Sequence, residues 1–184
     1  MKNIIFLISI LIPNVAMSLE TAPYKVVKDI SDKIQIREYE EIILATISNK
    51  KDSQNSNFRA LFKFIAGENE KGQEIKMTTP VFQKNSQSSE TMSFVMPATF
   101  NKENLPKPNN KNIIIEILEN TSFIAIRFSG RASDRNFAKH QEILKTKSKE
   151  MGIRIDAQSP INAYYNRPWT LPFLKRNEVL FRVL

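Results

Sequence analysis

The sequence predicts an α+β fold: one domain of two repeated strand-strand-helix-strand-strand halves, with two helices packed on a strongly twisted antiparallel sheet that nearly closes as a barrel. Three observations predict it. The same order of hydrophobic periodicities occurs twice along the chain. Each occurrence holds one stretch of helical period between runs of strand period. No linker rich in Gly, Ser or Pro divides the 184 residues, and each half can bury its sheet face only against another apolar surface, which a twin half supplies.

In the first half, Tyr24 to Val27 reads as a short introductory strand. Ile34 and Ile36 alternate with Gln35, Arg37 and Tyr39 in a second, and Ile42 to Ser48 forms a third, more buried one. The polar stretch from Lys50 to Asn57 offers Ser53 and Ser56 as helix N-caps. Phe58, Leu61, Phe62 and Ile65 follow at i, i+3, i+4 and i+7, one face of an amphipathic helix that Gly67 ends. Lys76 to Gln83 and Met92 to Met96 are the next strands, and Pro80 places an edge or a bulge in the former. Met77, Met92 and Met96 read as core, with a cavity lining as the alternative.

After a Pro-containing loop at Leu105 to Pro108 the order recurs. Ile113 to Leu118 and Phe123 to Phe128 are strands joined near Asn120. Ser133 or Asp134 caps a helix reaching about Met151, with Phe137, Leu144 and Met151 as its seam and Gly152 at its end. Ile161 to Tyr165 and Glu178 to Val183 complete the half.

Composition narrows the function classes. Apolar residues make up 41% of the chain, enough for a core, and charged residues 25%. Cysteine is absent, which excludes disulfides, thiolate metal sites and a Cys nucleophile. His140 is the single histidine, so a His-rich metal centre or a doubly His-ligated haem is excluded. The formal net charge of +8 suits nucleic acid, anionic lipid or acidic small molecules.

Residues 1–18 read as a signal peptide. Lys2 opens a positive region, Ile4 to Ile12 are apolar except Ser9, Pro13 and Asn14 break the run, and Ala16-Met17-Ser18 supplies small residues for cleavage. The run is shorter than the ~20 residues of a spanning helix. The expectation is a mature domain over 19–184, periplasmic or secreted, monomeric, with no stable membrane anchor after cleavage. Export in turn argues against a nucleic-acid partner.

A co-linear series of segments carries a resemblance. It comprises Tyr24-Lys25-Val26-Val27, Ile36-Arg37-Glu38-Tyr39, Phe64-Ile65-Ala66-Gly67-Glu68-Asn69, Ile75-Lys76-Met77-Thr78-Thr79-Pro80-Val81, Met92-Ser93-Phe94-Val95-Met96-Pro97, Phe128-Ser129-Gly130, Ala163-Tyr164-Tyr165 and Arg176-Asn177-Glu178-Val179. In order and spacing this resembles the SOUL haem-binding family. The resemblance implies a distorted antiparallel β-barrel flanked by two helices, and non-covalent binding of haem or another porphyrin. It also implies a likeness to bacterial effector-binding domains.

A haem needs apolar area for its macrocycle, cations for two propionates and optionally an axial ligand. In the family the porphyrin lies on the first helix beside a loop before the last strand. Carried over, this assigns Phe58, Phe62 and Ile65 to the apolar stripe. Lys63 matches a family Lys associated with propionate contact. The late loop, Arg167-Pro168-Trp169-Thr170-Leu171-Pro172-Phe173-Leu174-Lys175-Arg176, supplies Trp169 and Leu171 to close over a flat ligand. Lys175 and Arg176 are its candidate propionate partners, because the family's second Lys falls near Thr170. Some relatives are proposed to use a strand His as axial ligand; here that position is Glu38, so the expected binding has no strong axial bond. The same stripe at helical spacing is also what core looks like, so burial decides.

Two rivals remain open. One is a binder of another amphipathic small molecule or lipid. The other is a hydrolase of the effector-binding type using a buried Glu, for which Glu116, Glu119 and Glu178 are the strand candidates. No G-x-S-x-G or H-E-x-x-H pattern or phosphate-cradling Gly loop is present, and the expectation is a non-enzyme.

Overall fold

A computed structural model describes residues 19–50, 54–86 and 88–184. The expected signal peptide and Ser53 lie outside these. The elements run β1 (Glu20–Thr21), β2 (Lys25–Ser31), β3 (Ile34–Lys50), α1 (Gln54–Ile65), β4 (Thr78–Thr79), β5 (Val81–Asn85), β6 (Ser89–Val95), β7 (Ile113–Phe128), α2 (Asp134–Glu150), β8 (Ile161–Tyr164) and β9 (Asn177–Arg182).

Six of these strands close a barrel in the order β3-β6-β5-β8-β9-β7, with β7 returning to pair with β3, and every pairing is antiparallel. β2 lies outside the barrel along the first half of β3. Closure removes the free sheet edges that an open sheet would leave. The expected repeat is present in numbers. α1 starts at Gln54 and α2 at Asp134, and β5 starts at Val81 and β8 at Ile161, so the second half repeats the first at an offset of 80 residues.

The structure departs from expectation in the long strands. Ile34–Tyr39 and Ile42–Ser48 form one strand, as do Ile113–Leu118 and Phe123–Phe128. The β3–β7 ladder keeps one register throughout and skips only Glu40 and Asn120, where Asn120 takes a φ of 43°. Across that point the faces exchange. Tyr39 points into the barrel, and so do Ile42 and Leu44. In β7, Phe123 and Ala125 face inward, whereas Ile113 before the kink faces outward. A change in alternation reads in sequence as a strand end, because side-chain period is the strand's signature.

Three cores result. One fills the barrel with Tyr39, Phe82, Phe123, Tyr165 and Leu180 among others. The second lies under α1, where Leu61, Phe64 and Ile65 cover Ile43, Ile47, Met92, Phe94 and Met96. The third lies under α2, where Phe137 and Leu144 cover Ile124, Ile126, Val179 and Phe181. Burial of each such large side chain contributes roughly 1.5–3 kcal/mol. Met92 and Met96 are therefore core, as expected. Gly67 follows α1 at a φ of 111°, a conformation that costs a side-chain-bearing residue. Ser133 caps α2 by accepting from Asn136 N–H, whereas Ser56 lies within the first turn of α1. Pro80 separates β4 from β5 through a cis Thr79–Pro80 bond.

Candidate functional site

The helical stripe of α1 divides between core and surface. Its buried face is Asn57, Leu61, Phe64 and Ile65. Ile65 is 4% exposed and belongs to the core beneath the helix, which corrects its expected place on a ligand face. Asn57, bonded by Asn49 at 2.5 Å and to the Glu90 carbonyl, holds that side of the helix against β3 and β6 together with the buried Leu61, Phe64 and Ile65. Phe58 and Phe62, one step around, are 43% and 50% exposed. Their rings lie nearly parallel, 14° apart with centroids at 6.2 Å, and Phe58 rests edge-on against Phe94. The result is an exposed aromatic pair on the outside of the barrel.

Lys63, in the last turn, reaches Glu68 at 3.0 Å with both side chains more than half exposed. Such a pair holds the ammonium by only ~0–1 kcal/mol, so an incoming carboxylate can compete for it. A shallow pocket of about 250 Å³ lies on this polar flank, lined by Ser56, Arg59, Ala60, Lys63, Phe64, Glu68 and Asn110. Lys63 thus borders the pocket, while Phe58 and Phe62 do not line it.

The late loop is not packed for stability. Trp169 is 76% exposed, and Leu171 is also exposed. Lys175 folds back along the loop, its ammonium donating to the Pro168 carbonyl at 3.0 Å in a solvent-exposed bond. Arg176 differs from expectation. Its guanidinium turns inward to Glu178 at 2.8 Å, donates to the Tyr24 hydroxyl and lies over the Tyr165 ring at 3.8 Å. Its charge is already matched inside the barrel, so it is not a free rim cation.

That inward turn belongs to a cluster missed in sequence. Arg37 and Glu178, 141 residues apart, form a fully buried bidentate pair at 2.6 and 3.1 Å. Tyr165 donates its hydroxyl to the same carboxylate at 2.9 Å, and Arg37 lies over the Tyr24 ring at 4.3 Å. Burial pulls the Arg37 pKa down, but the hydrogen bond and charge of Glu178 more than offset it and leave it raised. Alternation did not reveal it: in the first half of β3 Arg37 shares its side with Gln35, opposite Ile34 and Ile36, and only closure of the barrel turns that side inward.

This cluster and its aromatic neighbours fill the barrel. Glu178 has both oxygens engaged by Arg37, Arg176 and Tyr165. Glu116 and Glu119 are exposed. Glu38 lies on the outward side of the first half of β3, the half that shares its face with Ile34 and Ile36 over α2. His140 stacks on Phe128 at 3.8 Å and donates Nδ1–H to the Asn136 carbonyl.

A family model, SOUL heme-binding protein, matches residues 19–182. The chain belongs to the SOUL heme-binding protein family. This SOUL domain shares its fold with structures of low sequence identity. One is the EcmrR C-terminal domain, 14% identical with a TM-score of 0.62, covering 83% of this chain and 97% of that one. Another is a hydrolase encoded by lin2189 from Listeria innocua, 10% identical with a TM-score of 0.59, covering 83% and 92%. EcmrR in a DNA complex gives 15% identity and 0.61, covering 82% and 57%. At these identities the likeness is one of fold. No curated protein matches the SOUL chain significantly.

Proposed function

We propose that this SOUL protein is an exported, non-enzymatic carrier that binds haem or a related porphyrin non-covalently on the outer face of α1. Family membership supports porphyrin as the ligand class. The observation that carries the reading is the exposed, nearly parallel Phe58–Phe62 pair beside Lys63, which offers apolar aromatic surface and a cation within one helical turn. Phe58 and Phe62 would hold the macrocycle and Lys63 one propionate; Trp169, Leu171 and Lys175 of the late loop would close over it. Haem bound there supplies an iron centre for redox or ligand chemistry, while the protein contributes burial and charge.

The filled barrel favours this outer surface over an internal pocket. It also favours binding over hydrolysis, because the one fully buried Glu among the strand candidates is committed to two arginines. Without a bond to iron, affinity is set by apolar contact and rim charge, on the order of micromolar. The leader features of residues 1–18 support a periplasmic or secreted location, and the domain is proposed to act as a monomer.

Titrating the protein with haemin tests the reading through the Soret band. A saturable shift is expected. Phe62→Ala weakens it roughly tenfold through lost contact area, Lys63→Glu weakens it several-fold, and Glu38→Ala leaves it unchanged. A titration no different from that of an unrelated basic protein removes haem as the ligand and leaves the fold standing.

A further inference from the structure

The two halves differ most at one connection. β5 and β6 are joined through residues 86–88, whereas their counterparts β8 and β9 are joined through residues 165–176. The symmetric half shows that the barrel closes with a short turn, so the extra residues are not needed for closure.

What they present is unusual for a protein surface. Trp169, Leu171, Phe173 and Leu174 are between 56 and 76% exposed, four large apolar side chains within six residues. Exposed apolar residues scattered singly are ordinary, but a contiguous group marks a contact surface. The loop is tied into this shape. Thr170 N–H bonds the Arg167 carbonyl, and a 3₁₀ turn over Pro172–Leu174 closes with Lys175 N–H on Pro172. Gly130 N–H holds the Pro172 carbonyl at 2.9 Å, and Arg176 N–H holds Asn166 Oδ1 at 2.6 Å. The apolar side chains are therefore held out, with two prolines limiting retreat.

The electrostatics select the occupant. No carboxylate lies between residues 165 and 177. Arg167 sits 5.7 Å from the Trp169 ring, Lys175 flanks the turn, and Arg131 follows the Gly130 that anchors it. An apolar tip containing Trp and flanked by Arg167 and Lys175 matches the interface of an anionic bilayer: aromatic and aliphatic groups enter the headgroup–acyl boundary while cations meet lipid phosphates.

We propose that the 166–176 loop is a membrane-contact element that seats Trp169, Leu171, Phe173 and Leu174 in the surface of an anionic bilayer. This goes beyond the porphyrin reading and does not rest on it, although that reading also assigns Trp169 and Leu171 to the ligand. The contact is peripheral and reversible, since four side chains and two or three cations bind far more weakly than a spanning helix.

The test uses the full chain without haemin. Residues 4–12 are themselves apolar apart from Ser9, so sedimentation with vesicles does not isolate the loop; Trp169 does, being the only tryptophan. With phosphatidylglycerol-containing vesicles its emission moves to shorter wavelength and is quenched by lipids brominated in the acyl chains. The response is weaker with phosphatidylcholine alone and falls with added salt. Phe173→Ser with Leu174→Ser, both at exposed positions, lowers the partition coefficient at least tenfold. Lys175→Glu lowers it roughly fivefold or more. Unchanged Trp169 emission across the lipid titration overturns the proposal, pointing to a protein partner for the loop. So does an equal shift on raising protein concentration without lipid, which assigns the loop to a second copy of the chain.

Discussion

At the scale of single residues, Glu178 carries the greatest electrostatic weight. Its carboxylate is fully buried and accepts from Arg37, Arg176 and Tyr165. A buried charge of this kind is tolerable only while paired, and removing one partner leaves the other uncompensated. Glu178→Gln is expected to destabilise the domain by about 3–5 kcal/mol in urea unfolding, and pairing it with Arg37→Met recovers part of the loss. A loss under ~1 kcal/mol would mean that water reaches the pair. Charge on the surface behaves differently: Lys63 is held by one exposed carboxylate and stays available. Arg176, which composition placed among the rim cations, belongs instead with the buried group. No local pattern distinguishes an inward from an outward arginine at a strand boundary; the choice is made by a carboxylate two residues on that the barrel turns inside.

At the scale of elements, the two long strands are shaped by one kink. Asn120 adopts a left-handed φ of 43° opposite Glu40, and the inward face changes parity on both strands there. That exchange lets the outer side of one continuous ladder serve α1 at one end and α2 at the other. Asparagine tolerates this backbone, glycine more so, and a β-branched residue least. Asn120→Gly should leave urea stability within about 1 kcal/mol, whereas Asn120→Val should cost about 1–2 kcal/mol; equal values for the two would show that the kink does not depend on the left-handed conformation. The helices were legible because their period is unbroken and their ends carry Ser133, Gly67 and Gly152. The exact face of α1 was not, because Phe58 and Ile65 fit the same stripe, and packing of Leu61, Phe64 and Ile65 on β3 and β6 together with Asn57's bonds to Asn49 and Glu90 sets the rotation.

At the scale of the whole molecule, the barrel interior and the two helix-covered cores lie on the two faces of the same strands. Burial raises the pKa of Tyr39, Tyr164 and Tyr165, because a phenolate would lose its hydration inside. A raised folded value means that these groups contribute stability present below the ordinary tyrosine value of about 10 and lost as pH climbs beyond it. Most tyrosinate absorbance should therefore appear above pH 10 together with loss of circular dichroism, in one step. A smooth tyrosinate titration near 10 with unchanged dichroism would show those rings to be open to solvent.

The sequence by itself determined the repeat, the two helices, the family and the odd composition of the late loop, since each is written in local period, local caps or co-linear motifs. It also marked Phe58, Phe62, Lys63 and Trp169 as residues of interest. Tertiary structure alone decided which of them face water, that Arg37 and Glu178 meet across 141 residues, and that the barrel is filled rather than hollow. The physical reason is that burial and charge pairing depend on closure of the sheet, which brings together positions that share no local signal.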